Sequence, residues 1–183
     1  MTRLVLLLPL SLALLAADKG PVVSGVPVGK RPGPYSFLVA TGPQRGQPTC
    51  YVCEQHDGGK PAAVVFARTL SAPLGTLLAK LDAAGAAHKD AGFKVWMTHL
   101  AAPADLDGLA KWAQGRGLKN VPVGAFEDAD GPPAYRLHAD ADVTVLLFVR
   151  EKVVANFAFR PGTLDDAATA DILKSLPKLF EKK

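Results

Sequence analysis

Cys50-Tyr51-Val52-Cys53 contains both cysteines of the 183-residue chain, and His56 follows the second at a spacing of three. A C-x2-C pair can exchange disulfides with a partner, staple its own loop, or bind a soft metal ion. With His56 the pattern becomes C-x2-C-x2-H, a ligand set suited to copper(I) or zinc. A closed zinc site needs a fourth ligand, and no second cysteine pair exists to supply it. Covalent haem attachment is disfavoured because Glu54, not histidine, follows Cys53.

Exchange chemistry needs a thiol of lowered pKa, supplied by a cation or by free backbone amides. The segment Glu54-Gln55-His56-Asp57-Gly58-Gly59 is too short before its glycines to predict a stable helix, so residues 44–60 read as a polar loop. Glu54 and Asp57 would favour the neutral thiol, and a protonated His56 would oppose them. As a staple, a bridge closing so small a loop is worth about 2 kcal/mol and would order that loop. The spacing alone leaves redox, structural and metal roles open, and does not say which sulfur attacks.

The elements that must position this pair follow from periodicity. Residues 35–41 read as a strand ended by Gly42-Pro43, and residues 61–67 as a continuous apolar strand buried on both faces. Leu74, Leu77, Leu78 and Leu81 then mark one helical face, with Pro73 in the first turn and Ser71 as the expected N-cap. A strand over 93–100, a helix over 105–115 and a strand over 121–126 come next. Two apolar runs, 143–149 and 153–159, form a hairpin about Arg150-Glu151-Lys152, and a final helix begins at Thr163 as its cap. Strands linked through helices must be parallel with right-handed crossovers, so the order predicts an α/β fold with a mixed central sheet, a C-terminal β-hairpin and a terminal helix.

Composition supports a globular domain, at 49% hydrophobic and 21% charged residues. Met1-Thr2-Arg3 followed by the apolar run 4–17 reads as a cleaved signal peptide, too short for the roughly 20 residues of a membrane span. Residues 18–34 are then an extended arm and 35–183 the folded domain. The expected setting is export, to the periplasm or beyond, with no membrane span after processing. Cleavage lowers the formal charge from +4 to +3 by removing Arg3. The remaining cations are dispersed apart from Lys174, Lys178, Lys182 and Lys183, without the aromatic–basic interleaving of a nucleic-acid binder.

Several local patterns resemble the thioredoxin superfamily, and within it the redoxins, which include peroxiredoxins and exported thioredoxin-like reductases. Val28-Gly29-Lys30-Arg31-Pro32-Gly33-Pro34-Tyr35-Ser36-Phe37 resembles their opening segment. Gly59-Lys60-Pro61-Ala62-Ala63-Val64-Val65-Phe66 resembles the G-K-P-x-V-V-x-F of the central strand. Residues 109–117 and 121–131 resemble the helix, strand and D-x-D-G turn before the last hairpin, and residues 143–148 resemble its P-T-x-x-x-F start. The resemblance implies a thioredoxin-like three-layer sandwich.

The departures fall where that family does its chemistry. Its T-W-C-x-x-C would place cysteines at Ser71 and Leu74, its cis-proline at Val143, and a peroxiredoxin's arginine near Asp142. The pair at Cys50 and Cys53 lies before the central strand instead of after it. The expected function is therefore thiol–disulfide exchange by a displaced pair, with Cys50 and Cys53 as catalytic residues, a protein thiol or disulfide as partner, and no cofactor. A non-catalytic binding module stapled by a structural disulfide, or copper or zinc binding through Cys50, Cys53 and His56, are the alternatives. Arg68 at the end of the central strand is expected to cap or pair. His88, His99 and His138 are expected at a helix end, a strand end and a turn. Trp96 and Trp112 are expected in packing, and Asp128, Asp130, Asp140 and Asp142 around a solvated turn.

Overall fold

The computed structural model describes residues 20–181, so the expected signal segment 1–17 lies outside the described residues. Seven strands form one sheet: β1 Phe37–Val39, β2 Pro48–Thr49, β3 Ala62–Ala67, β4 Lys94–Leu100, β5 Val123–Phe126, β6 Val143–Val149 and β7 Lys152–Phe159, in the order β2-β1-β5-β4-β3-β6-β7. β3, β4 and β5 are mutually parallel, and β6, β7, β1 and β2 each pair antiparallel with their neighbours. This is the expected mixed sheet. Arg150 and Glu151, both at positive φ, make the tight turn of the β6–β7 hairpin.

Side-chain alternation along β3 divides the core. Ala63, Val65 and Ala67 face one layer, and Ala62, Val64 and Phe66 face the other. The first layer is covered by α2 Ala72–Ala87, α3 Leu106–Gly115 and α4 Asp166–Ser175. Two right-handed crossovers proceeding in one direction, from β3 to β4 to β5, put α2 and α3 on the same face. The other face is covered by α1 Tyr51–His56, by Val26 and Tyr35 of the chain leading to β1, and by Tyr135.

Residues 20–34 lie along this second face. Ser24 is buried and its hydroxyl bonds that of Thr144 at 2.8 Å, while Gly29 N–H donates to the Val153 carbonyl at 2.8 Å and Val153 N–H to Lys30 at 3.0 Å. Those last two bonds cover part of the β7 edge, which would otherwise present free backbone groups.

Besides shorter strands at Phe37–Val39 and Val123–Phe126, two further departures from expectation appear. The terminal helix is capped by Asp165, whose carboxylate accepts from Ala168 N–H at 2.7 Å, and Thr163 only turns the chain by donating to the Arg160 carbonyl. The supposed polar loop 44–60 contains both β2 and α1.

Candidate functional site

The Cys50–Cys53 pair is a disulfide with Cα atoms 5.4 Å apart. Cys50 is the N-cap of α1, and its Sγ accepts the Cys53 backbone N–H at 3.3 Å. The expectation that no helix could form after the pair was wrong because it considered only local propensity. Short helices gain most of their stability from tertiary packing. Tyr51 and Val52 are 2% and 0% exposed, and Tyr51 packs edge-on against Phe37 and contacts Trp96. The Gln55 amide donates to the carbonyls of Pro61 at 2.7 Å and Gly92 at 3.0 Å, tying the helix to the strand starts below it. The disulfide therefore does not hold this segment in order by itself.

The charges near the pair also rearrange. Lys94 Nζ lies 2.6 Å from the Glu54 carboxylate and 3.7 Å from the centre of the Tyr51 ring, so Glu54 is not an uncompensated anion. Burial, aided by the charge of Glu54, pushes the Tyr51 hydroxyl up to about 12, and that group stays protonated. His56 is held below its usual range by burial and by Arg31, against the opposing charges of Glu151 and Asp57. A guanidinium can only donate, so Arg31 Nη2, 3.5 Å from His56 Nδ1, assigns the ring proton to Nε2. Nε2 is buried without a hydrogen-bond partner, and the ring packs edge-on to Phe148 at 5.6 Å. His56 thus brings no positive charge to the sulfurs at neutral pH, contrary to the supporting role expected of it.

A cleft of about 480 Å³ opens beside the pair, walled by Arg31, Pro32, Gly33, Pro34, Cys53, His56 and Asp57. Its proline-rich wall is fixed: Tyr135 donates its hydroxyl to the Gly33 carbonyl at 2.8 Å, and a Cβ on Gly33 would meet that of Ala134 at 2.9 Å. The residues 31–34 were absent from the expected site. Their signal was the Pro-Gly-Pro run, which fixes extended backbone and leaves few donors.

The start of α2, where the family's cysteines would fall, is occupied otherwise. Ser71 is the N-cap, accepting from Leu74 N–H at 3.3 Å, and Leu74 is fully buried in the first core layer. Val143 pairs with Ala67 at the adjoining strand end. Arg68 donates to the carbonyls of Ala141 at 3.0 Å and of Ala129, and so caps the loop 129–141 instead of facing solvent for a ligand. Cys50 packs against the second layer and Leu74 belongs to the first, which puts the pair and this helix start on opposite faces of the sheet.

In the disulfide form Cys50, Cys53 and His56 do not make a metal site. The sulfurs are bonded to each other and His56 Nδ1 faces a cation. Among the described residues no group of three or more His, Cys, Asp or Glu is arranged to hold a metal ion.

Solved structures with this architecture include a thioredoxin-family thiol:disulfide interchange protein from Chlorobium tepidum, at TM-score 0.61 and 12% identity, covering 85% of this chain and 99% of that one. The fold is thioredoxin-like. A secreted disulfide oxidoreductase of Mycobacterium tuberculosis matches at TM-score 0.58 and 12% identity over 79% of this chain and 96% of its own. The peroxidoxin BcpB of the same organism matches at 0.57 and 14%, over 84% and 96%. No protein-family model and no curated protein sequence matches the chain. At these identities the likeness concerns architecture, and the chemistry rests on the residues described above.

Proposed function

We propose that this is an exported thioredoxin-fold protein that exchanges disulfides with partner proteins through Cys50 and Cys53. The carrying observation is a disulfide on a helix whose anchors, Tyr51, Val52 and Gln55, are independent of it, with Cys53 on the wall of a solvent-open cleft. A pair that can open without unfolding its support is what reversible exchange through a mixed disulfide requires. The N-terminal run 4–17 supports export, in which case residues 1–17 are removed, 18–34 form the arm and 35–183 the domain. An oxidising compartment is also where such a bond persists. Among the described residues no helix is long and apolar enough to cross a membrane.

The reduced protein is expected to reduce a peptide disulfide catalytically in the presence of a dithiol reductant. Cys50→Ser and Cys53→Ser should each lose that turnover, while Ser71→Ala should keep it. Turnover no faster than the reductant alone would overturn the reading. It would instead favour a stapled, non-catalytic binding module, the reading that the sulfur-free start of α2 supports.

A further inference from the structure

We propose that Cys53, the second cysteine of the pair, is the sulfur that meets the partner, and that Cys50 is the sulfur released. This rests on the redox reading above and adds an order to it. Cys53 lies on the cleft wall, whereas Cys50, although equally part-exposed, packs against the aromatic inner layer that holds Tyr51 and Val52. A thiolate attacks a disulfide sulfur and expels the other. On this proposal a thiolate entering between α1 and the Arg31–Pro34 wall attacks Cys53 Sγ and drives the electron pair onto Cys50.

The released sulfur is the one already provided for. Cys53 N–H donates to Cys50 Sγ at 3.3 Å, and the same bond becomes charge-assisted once Cys50 is a thiolate. Stabilising the leaving thiolate speeds its departure, because a thiol of lower pKa leaves faster. In a helix of six residues this support comes from one identified amide. Arg31 stands at the cleft with a positive charge that an approaching thiolate would meet, partly offset by Glu151 at 3.0 Å.

The step balances without a further reagent. The partner's thiolate forms a bond to Cys53 Sγ, the Sγ–Sγ bond breaks, and Cys50 leaves as a thiolate. A second partner thiolate then attacks the partner's own sulfur, leaving with it as a disulfide and freeing Cys53, so the partner is oxidised by two electrons and the pair reduced by two. In the reverse direction the Cys53 thiolate attacks a partner disulfide, and Cys50 resolves the adduct.

The test uses the unaltered oxidised protein and an extended ten-residue peptide bearing one cysteine. The two are mixed, quenched within seconds by N-ethylmaleimide, and mapped by mass spectrometry without reduction. The peptide should be found on Cys53 and the maleimide on Cys50, in at least about tenfold excess over the opposite arrangement. An even partition, or the peptide chiefly on Cys50, overturns the order while leaving the exchange reading intact. No adduct and no reduction of the pair at any peptide concentration overturns both. As a second arm, Cys50→Ser should trap a stable adduct with a peptide disulfide at least about tenfold faster than Cys53→Ser. The reverse ranking, in variants with unchanged circular dichroism, contradicts the proposal.

Discussion

Two helix starts in this molecule stand on opposite faces of one sheet. α2 begins with Ser71 and Pro73, and its Leu74, Leu77, Leu78 and Leu81 are all fully buried. α1 begins with a cysteine that is both cap and half of a disulfide, runs for six residues, and is anchored by two buried side chains and a buried amide. The long helix carries the packing and no sulfur. The short helix carries the sulfur and borrows its stability from the layer beneath. The resemblance to thioredoxin-like enzymes would put both roles in one helix, whereas here the disulfide and the long packing helix lie on opposite faces of the sheet.

The largest effect expected from breaking this contrast is on exchange. Cys50→Ser or Cys53→Ser should lower peptide-disulfide reduction by about 100-fold or more, because exchange needs one sulfur to attack and another to resolve. Ser71→Ala should alter that rate by less than about twofold and instead cost about 1 kcal/mol of stability through the lost cap, read by urea unfolding.

On stability the ranking inverts the apparent importance of the disulfide. Tyr51→Ala should cost about 3–5 kcal/mol in urea unfolding, since a buried aromatic leaves a cavity against Phe37 and Trp96. Asp82→Ala should cost about 2–3 kcal/mol. That carboxylate accepts the backbone amides of Lys119, Asn120 and Val121, and fastens the approach to β5 onto α2. Reducing the disulfide should cost only about 2 kcal/mol, in keeping with the small loop it closes. If reduction instead melts α1, so that Tyr51 becomes solvent-exposed, the independence of the helix is refuted.

The smallest effect concerns pH. Burial and the Arg31 charge lower the folded-state pKa of His56, and burial lowers that of His99, so both favour the neutral ring. A depressed histidine pKa means that the unfolded chain binds more protons in this range. The associated stability is thus full above the unfolded value near 6.5 and falls as pH drops through the folded values. His56→Gln should flatten part of that decline between neutral and mildly acidic pH, measured as the midpoint of urea unfolding.

How far the chain disclosed this arrangement can be seen element by element. β3 was legible because Ala62-Ala63-Val64-Val65-Phe66 is apolar without alternation, as a strand buried on both faces must be. α2 was legible from its leucine spacing and its Ser71 cap. His88 at the end of α2, His99 near the end of β4 and His138 in a turn sit as expected, and Trp96 is fully buried. The cap of α4 was misplaced at Thr163 because two further cap-forming residues, Asp165 and Asp166, follow it closely.

α1 was missed for a different reason. Most of its stabilising partners, Phe37, Gly92 and Trp96, are remote in the chain, and no local rule weighs them. The spacing of Tyr51, Val52 and Gln55, with a residue able to cap before them, was the available signal. The cleft wall at Arg31–Pro34 was equally hidden, since its position depends on the Tyr135 hydroxyl a hundred residues further on. Charge compensation of Glu54 by Lys94 likewise follows from α1 lying over the start of β4, and not from any neighbour in sequence.

The most direct measurement is the reduction potential of Cys50–Cys53, taken by equilibrating the protein in defined thiol–disulfide buffers and counting trapped thiols by mass. Reversible exchange predicts a potential above about −300 mV, within reach of partner thiols. A value below that bound, with the bond resisting reduction under conditions where the fold is intact, would contradict the account and leave the pair a staple.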